Sequence, residues 1–397
     1  MSAVPAAFAC PAPSWLHVVD LRWRLIVGRD QRPIGIHLTV LPSPAAAGVP
    51  AAEILGSVLD GFVAGDDVSF PHGLVVLAPA GVPLDDSLAH WTPPRNVMLE
   101  VPAAMLADPQ QVQAATDLQH HGVRLVLNAE PAALPARLPL PFQYVIRPAS
   151  AATAVAAGSG VLITGAHTRA AVKAAFDKGA HAMVGWPLDE PVPKAPGTLQ
   201  PVQKAALELI RLLQAEADTV ALERAFAADP VLTYLLLTLA NSPAFRRGKP
   251  IGSVMQAITL LGYKRLLKWL VLLLVIASKG SCALPQIYAA VARGFFMENV
   301  AEAQHNLPLR DDCFVTGAFS LLGRITGIEP ERLFKDVALP ETIVRAVLAG
   351  DGPAGPLLAL ARALEDEQPR PADGDIGSIN AALLQALACA DALQSLV

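Results

Sequence analysis

The sequence has few charged and few aromatic side chains. Only 16% of its 397 residues are Asp, Glu, Lys or Arg and 5% are aromatic, whereas 53% are apolar. A soluble domain usually has about 25% charged residues, so part of this surface must be apolar or covered by a partner. The net charge of -5 lacks the basic excess of a nucleic-acid-binding protein. The apolar fraction also excludes a disordered chain.

Disulfide frameworks, secretion signals and long apolar runs are also missing. The four cysteines, Cys10, Cys282, Cys313 and Cys389, are far apart and form no CxxC pair. No basic residue precedes the weak apolar stretch of the N-terminus, so we expect a cytoplasmic protein without a secretory signal. The most apolar segment, Leu260–Ala277, contains Lys264, Arg265 and Lys268, which leaves nine uncharged residues, too few for a span. A buried core helix is therefore favoured over membrane contact, and no membrane span is expected.

Proline usage divides the chain into two halves. Residues 1–197 contain 23 of the 35 prolines, and four of them fall between Pro187 and Gly197. Such a segment is typical of a semi-rigid linker. We therefore expect one domain over residues 1–190, a Pro-rich linker over 191–200 and a second domain over 201–397.

The first half alternates short apolar runs with Ala-rich amphipathic stretches. Candidate helices are Ala51–Phe62, Gln110–His121 and Thr168–Lys178. The candidate strands are His17–Val27, Ile34–Val40, Leu74–Ala78, Val97–Val101, Arg124–Asn128, Tyr144–Arg147, Val161–Thr164 and Ala182–Gly185. Strands alternating with helices indicate α/β architecture with a mainly parallel sheet. Eight strands suit a TIM-like (β/α) barrel, but about 195 residues is the lower limit, so we expect a shortened barrel in which some helices are short or missing.

The second half reads as all-α. Asp229-Pro230 is a helix start, Ser253-Val-Met-Gln256 is a capping box, and Gly262 is a natural helix end. The predicted helices are Gln203–Ala215, Val231–Ala240, Val254–Leu261, Lys264–Ser278, Pro285–Gln304, Asp311–Ile325, Pro340–Leu348, Gly355–Asp366 and Ile376–Leu396.

This helical half resembles the HDOD domain family. The resemblance is carried by residues 229–245 and 251–262, by Leu267-Lys-Trp-Leu270, by residues 316–324 and by Leu339-Pro340. It implies an HD-like helical domain related to metal-dependent phosphohydrolases, whose Gly-Leu-Leu-His-Asp-Ile-Gly motif ligates metal. Here Gly317-Ala-Phe-Ser-Leu-Leu-Gly323 places Ser320 and Leu321 at the ligand positions. Leucine cannot ligate and serine is a poor substitute for imidazole, so metal-dependent hydrolysis is not expected.

The first half is similar to the EAL domain, which hydrolyses cyclic di-GMP on a TIM-like barrel. The carrying segments are Val97-Met-Leu-Glu-Val101, Leu125-Val-Leu-Asn-Ala-Glu130 and Ala171 to Pro187. EAL followed by HDOD is a known pairing, so the resemblance implies a two-domain signalling protein.

Carried over by residue, this resemblance implies a degenerate site. His37 stands in place of the opening acid and Asn128-Ala129 in place of the paired aspartates. The lysine falls near Ile146, the late glutamate near His167 and the glutamine at Val184. Glu100 alone matches a ligand position. Two-metal catalysis needs several converging carboxylates, so we expect no catalytic residue, no metal and no cofactor.

Several other polar residues are weak candidates. His37 and His167 could meet at the barrel mouth, either as a relic pocket or as a new ligand site with Glu100 and Asn128. Arg246, Arg247 and Lys249 form one basic cluster, and Lys264, Arg265 and Lys268 form another. These clusters are either solvated surface or a contact for a phosphate, a nucleic-acid backbone or an acidic partner; without interleaved aromatics the solvated surface is favoured.

Two hypotheses follow. The leading one is a non-catalytic signalling protein that contacts other signalling proteins in a cyclic di-GMP network controlling motility, biofilm or virulence. The alternative is a sensor that binds cyclic di-GMP without hydrolysing it, against which the vacated polar positions argue. A second copy of the chain is a further candidate partner.

Overall fold

The architecture was taken from a computed structural model of the chain. It describes residues 14–63, 70–82, 84–129, 138–150, 159–193, 197–241, 251–277, 281–336, 339–365 and 375–394.

The N-terminal half closes into an eight-stranded barrel, which we call the barrel unit. Its strands are β1 (Val19–Gly28), β2 (Pro33–Pro42), β3 (Leu74–Pro79), β4 (Val97–Pro102), β5 (Arg124–Asn128), β6 (Tyr144–Pro148), β7 (Gly160–Thr164) and β8 (Ala182–Val184). Strands β2 to β8 pair in parallel, whereas β1 is antiparallel to both neighbours. The eight predicted strands and the barrel are confirmed.

Three α-helices accompany these strands among the described residues: α1 (Ala51–Gly61), α2 (Pro109–His120) and α3 (Arg169–Asp177). They agree with the three predicted helices to within one residue at each end. Inside the barrel, seven of the eight strands contribute to one apolar cluster, formed by Ile26, Val76, Met98, Val126, Ile146, Leu162, Ala182 and Val184. Because side chains alternate along a strand, this layer fixes which residues face inward.

The C-terminal half is helical throughout its described part, as predicted, and we call it the helical unit. Its helices are α4 (Pro201–Gln214), α5 (Thr219–Ala227), α6 (Pro230–Ala240), α7 (Val254–Ile276), α8 (Leu284–Ala303), α9 (Leu307–Phe319), α10 (Leu322–Thr326), α11 (Pro330–Asp336), α12 (Glu341–Ala349), α13 (Gly355–Glu365) and α14 (Ile376–Gln394). Gly262 interrupts α7 with φ 72° and ψ 162°, which confirms the predicted helix end at this glycine.

Three predictions for the helical unit were wrong in detail. Helices α5 and α11 were not predicted, and the segment predicted as one helix over Asp311–Ile325 contains two helices, α9 and α10. The break falls at Leu321, where φ is −114° and ψ is 1°. The Ser320 hydroxyl donates to the Gly317 carbonyl at 2.7 Å, which satisfies a backbone acceptor where the first helix ends.

The two units share one continuous apolar core. Helix α14 provides most of the polar contacts across it: the Asn380 amide donates to the carbonyls of Leu16 and Val19 at 2.8 and 2.7 Å. The Asp391 carboxylate accepts from the backbone N–H groups of His72 and Gly73 at 2.6 and 3.3 Å. The predicted linker lies between the end of β8 and the start of α4.

One described helix, over Ile376–Leu393, is long and apolar enough to cross a membrane, but half of that stretch is buried inside the protein. The segment Leu260–Ala277 lies largely within α7, which buries Leu266, Leu270, Val271 and Leu274.

Candidate functional site

A tier of polar side chains lies next to the apolar layer inside the barrel. Glu100, Asn128 and Thr164 each stand two residues beyond a member of that layer, and Arg24 stands two residues before Ile26. The period of two therefore turns all four toward the interior. His37 joins them from β2, where it pairs with Arg24 on one side and Val76 on the other.

Glu100 is the centre of this tier and is 6% exposed. His37 Nε2 lies 2.5 Å from Glu100 Oε2, and Asn128 Nδ2 donates to Glu100 Oε1 at 2.7 Å. Burial alone raises the pKa of Glu100, but the charge and hydrogen bond of His37 oppose it. The Asn128 hydrogen bond and the Arg24 charge add to that opposition, so the pKa lies below its ordinary value. Glu100 is therefore ionised at neutral pH.

His37 and Arg24 both act on this carboxylate, His37 through a direct contact and Arg24 through its charge. The His37 side chain is 2% exposed, and its Nδ1 is buried with no hydrogen-bond partner in the structure. Arg24 Nη1 donates to the Thr164 hydroxyl at 3.0 Å. Together these groups hold a single buried carboxylate between protein donors.

This arrangement does not fit the two metal ions that the EAL resemblance implies. Both oxygens of Glu100 already accept protein hydrogen bonds, and the nearby Arg24 guanidinium repels a divalent cation. Within the described ranges, no three His, Cys, Asp or Glu side chains are grouped to hold a metal ion. Ile146 and Val184, where the resemblance places a lysine and a glutamine, belong to the apolar layer.

The structure gathers His37, Glu100 and Asn128, but it places His167 in different surroundings. His167 is exposed on the loop after β7, where it lines a cavity that does not include His37. His37 turns into the barrel toward Glu100, so the possible meeting of the two histidines at the barrel mouth stays a prediction.

That cavity, of about 720 Å³, lies between the barrel mouth and the helical unit. The loops after β7 and β8 form one wall and include His167 and Trp186. The charged lining comes from both units: the cations are Arg24, Arg293 and Arg362, and the carboxylates are Asp189, Glu190 and Glu365. The volume suits a small ligand, but the cations and carboxylates are equal in number.

In the helical unit, an arginine contacts Ser320, which the HDOD resemblance places at a metal-ligand position. Arg293 Nη1 donates to the Ser320 hydroxyl oxygen at 3.0 Å. Its Nε and Nη2 donate to the Glu365 carboxylate at 2.7 and 2.6 Å. Burial alone lowers the pKa of Arg293, but the charge and hydrogen bonds of Glu365 outweigh it and raise the pKa. Leu321 is 1% exposed in the core, and its side chain has no atom that could ligate a metal.

The basic clusters predicted from the sequence have different outcomes. Arg246, Arg247 and Lys249 lie outside the described residues. In the second cluster, Lys264 pairs with Asp311 at 3.1 Å, and Lys268 pairs with Glu298 at 2.5 Å.

Sequence reasoning missed Arg24, Arg293, Arg362 and Glu365. Arg24 stands between Trp23 and Leu25 in β1, and Arg293 follows Ala289-Ala-Val-Ala292 in α8. A charged residue among buried apolar neighbours requires a partner, and that signal could have marked both arginines. The partner of Arg24 lies 140 residues away and the partner of Arg293 lies 72 residues away, so neither could be identified from spacing.

Comparisons with known proteins support the resemblance of the helical unit to the HDOD family. Residues 199–329 match the HDOD domain family. The cyclic di-GMP phosphodiesterase CdgJ of Vibrio cholerae is 31% identical over 170 residues, which cover 42% of this chain and 39% of that protein. The match thus spans well under half the length of this curated relative.

Solved EAL structures resemble the chain at low scores. The EAL domain of Mycobacterium smegmatis DcpA aligns with a TM-score of 0.33 and 14% identity, covering 42% of this chain and 90% of that one. Klebsiella pneumoniae BlrP1 aligns with a TM-score of 0.35 and 12% identity, covering 45% and 57%. At these scores the description of the barrel depends on its own strand pairing.

Proposed function

We propose that this protein is a non-catalytic signalling protein that acts by contacting other proteins. The observation that carries the proposal is the environment of Glu100: its two oxygens are bound by His37 and Asn128, and Arg24 supplies a cation where the reaction would need metal ions. A second protein cation, Arg293, lies beside the degenerate HD motif. Both positions are thus occupied by contacts between protein side chains.

The network in which we place it uses cyclic di-GMP. This is supported by the 31% sequence identity to CdgJ over 170 residues, a protein named as a cyclic di-GMP phosphodiesterase, and by the EAL-like segments of the sequence. Motility, biofilm or virulence control are the corresponding outputs, and the cytoplasm is the corresponding location. We further propose residues 1–190 and 201–397 as the two domains, with 191–200 as the linker.

Partner binding is supported by apolar side chains on the surface of the helical unit. Val220 in α5 is 45% exposed, and Val231 and Tyr234 in α6 are 58% and 67% exposed. No residue of α6 is charged, although its outer face meets solvent. Val231 and Tyr234 are neighbours three residues apart on α6, and contiguous exposed apolar surface is characteristic of protein interfaces.

The second candidate function is a sensor that binds cyclic di-GMP without cleaving it. The interdomain cavity favours it, because that cavity is large and combines arginine side chains with Trp186 at the barrel mouth. The equal number of carboxylates in its lining argues against a dianionic ligand, which is why we rank this function second.

Isothermal titration of the purified chain with cyclic di-GMP separates the two. Low-micromolar binding would contradict a pure interaction protein, whereas no heat at a hundredfold higher concentration would contradict the sensor. A hydrolysis assay with Mg²⁺ or Mn²⁺ tests both. We expect no turnover; turnover that Glu100→Ala abolishes would refute the non-catalytic proposal. Affinity capture from native lysate with the intact chain as bait then identifies the partner.

A further inference from the structure

The segment that leaves the barrel after β8 is bound to both units. We call residues 186–193 the strap; it starts two residues after β8 and runs into the predicted linker. Three of its eight residues are proline, which is typical of a semi-rigid spacer. In the structure, however, Pro187 and Val192 are buried, and Val192 belongs to the apolar core that the two units share. The strap is therefore a packed element of the fold.

The strap is bound to α3 of the barrel unit by a contact that we call the α3 anchor. Glu190 Oε2 accepts from the backbone N–H of Arg169, the first residue of that helix, at 2.8 Å. The Arg169 Cζ atom lies 5.6 Å from the centroid of the Trp186 ring, so one residue of α3 contacts the strap twice. A carboxylate is stabilised at a helix N-terminus by the free N–H groups and by the dipole.

The strap is bound to α10 of the helical unit by backbone hydrogen bonds that we call the α10 anchor. The Val192 N–H donates to the Arg324 carbonyl at 3.0 Å, and further along the chain the Gly197 N–H donates to the Thr326 carbonyl at 3.0 Å. Both acceptors lie at the end of a five-residue helix, where carbonyl groups lack partners within the helix. This short helix begins inside the degenerate motif Gly317–Gly323 and depends on the strap to complete its hydrogen bonds.

The strap also forms part of the wall of the interdomain cavity. Five consecutive residues, 186–190, line that cavity. The Asp189 carboxylate acts through its charge on Arg293 and Arg362 of the helical unit, which line the same cavity. One segment of eight residues thus contacts the cavity, the barrel unit and the helical unit.

We propose that the strap is a latch that opens as one cooperative unit and couples the interdomain cavity to α10. Glu190 of one anchor and Val192 of the other are separated by Pro191 alone, whose fixed φ stiffens the connection. Movement of Glu190 away from α3 therefore displaces the Val192 N–H. A ligand or partner that moves the strap at the barrel mouth thereby releases carbonyl groups of α10. The inference goes beyond the proposed function, and its test needs no partner.

The test is hydrogen–deuterium exchange of the full chain, resolved to single amides by mass spectrometry with electron-transfer fragmentation. It follows the N–H groups of Arg169, Val192 and Gly197, each of which donates one anchoring bond. Glu190→Ala removes the acceptor of the α3 anchor. Val192 and Gly197, in the other anchor, should then exchange about five- to thirtyfold faster, the effect expected from losing a hydrogen bond to a charged group.

The reverse experiment breaks the α10 anchor with Gly197→Pro. This change removes the donor N–H, and proline, whose φ is fixed at about −65°, cannot adopt the φ of 63° found there. Gly197 is exposed and a Cβ atom placed on it meets no neighbour, so the variant loses no packing. The amides of Val192 and of Arg169, which lies in the barrel unit, should both exchange faster, because coupling between two sites is reciprocal.

Asp218→Ala is the matched control. Asp218 Oδ1 accepts from the Ala221 N–H at 2.8 Å at the start of α5, which is the same kind of bond as the α3 anchor but lies outside the strap. This variant should speed exchange at Ala221 and leave the three strap amides unchanged.

Three results would overturn the proposal. The first is exchange of the Val192 and Gly197 amides of the wild type at the rate of an unstructured chain, because the α10 anchor would then be absent in solution. The second is acceleration confined to the anchor that each variant breaks, because the anchors would then open independently. The third is equal acceleration of the strap amides by Asp218→Ala, because the effect would then be global. None of these measurements involves turnover or partner capture, so the proposed function is tested separately.

Discussion

The buried pair of Arg293 and Glu365 allows a stability prediction whose size can be worked from the structure. The two side chains are 3% and 10% exposed, and the carboxylate accepts two hydrogen bonds from the guanidinium at 2.7 and 2.6 Å. Glu365→Leu removes the counter-ion but leaves the guanidinium buried. The Ser320 hydroxyl is then its one remaining hydrogen-bond acceptor in the described structure.

Breaking a buried pair by removing one partner costs about 3–5 kcal/mol, so Glu365→Leu should lower the free energy of unfolding by up to that amount; the charge of Asp189, which also acts on Arg293, reduces the loss. This is a large share of the roughly 5–15 kcal/mol that stabilises a native domain. Arg293→Met in the same chain removes the stranded cation, and the double variant should recover at least half of the loss. Paired replacement by apolar side chains of similar volume is often neutral.

The assay is urea unfolding of the full chain, followed by tryptophan fluorescence and circular dichroism. The midpoint and slope give the change in free energy. Arg345→Met is the matched control: Arg345 pairs with Asp351, but both side chains are more than half exposed. It should shift the midpoint little. A loss below about 1 kcal/mol for Glu365→Leu, or a double variant as unstable as the single one, would refute the reasoning.

Two further predictions concern the barrel and its contact with the helical unit. The folded pKa of Glu100 lies below the unfolded value of 4.5, so its stabilising contribution is present above pH 4.5 and is lost as pH falls through the folded pKa. Urea midpoints of Glu100→Gln should therefore fall less steeply than those of the wild type in that acid range; parallel curves would contradict this. Asn380→Ala should destabilise the chain by about 1–3 kcal/mol, because the carbonyls of Leu16 and Val19 lose their buried donor. An unchanged unfolding midpoint would show that water replaces the amide.

The sequence predicted the elements well wherever local pattern decides structure. The eight strands were found because each is a short apolar run between turn signals. The ends of the helices near Gly262 and Asp229 followed from backbone freedom and capping. Helix α5, Thr219–Ala227, was not predicted; its nine residues give too few turns for a clear helical periodicity.

The features of the candidate site that the sequence did not predict depend on contacts between residues that are distant in the chain. His37 and Glu100 were both singled out, but their direct pairing depends on two strands separated by β3 in the barrel. The position of His167 outside that contact depends on the loop after β7. Arg293 and Glu365 come from α8 and α13, and no local pattern relates those helices.

The hydrogen bonds of Asn380 also constrain how the chain acquires its structure. The bond to Leu16 joins residues 364 positions apart, and the bond to Val19 joins residues 361 apart. At about 5–20 residues per second, a ribosome takes roughly 20 to 70 s to bridge that interval. Until α14 is made, β1 lacks the cover of that helix, and the buried Leu21 N–H lacks its acceptor, Asn380 Oδ1. Nascent chains of this protein are thus exposed to aggregation during synthesis, and we expect their yield to depend on chaperones that hold such surfaces.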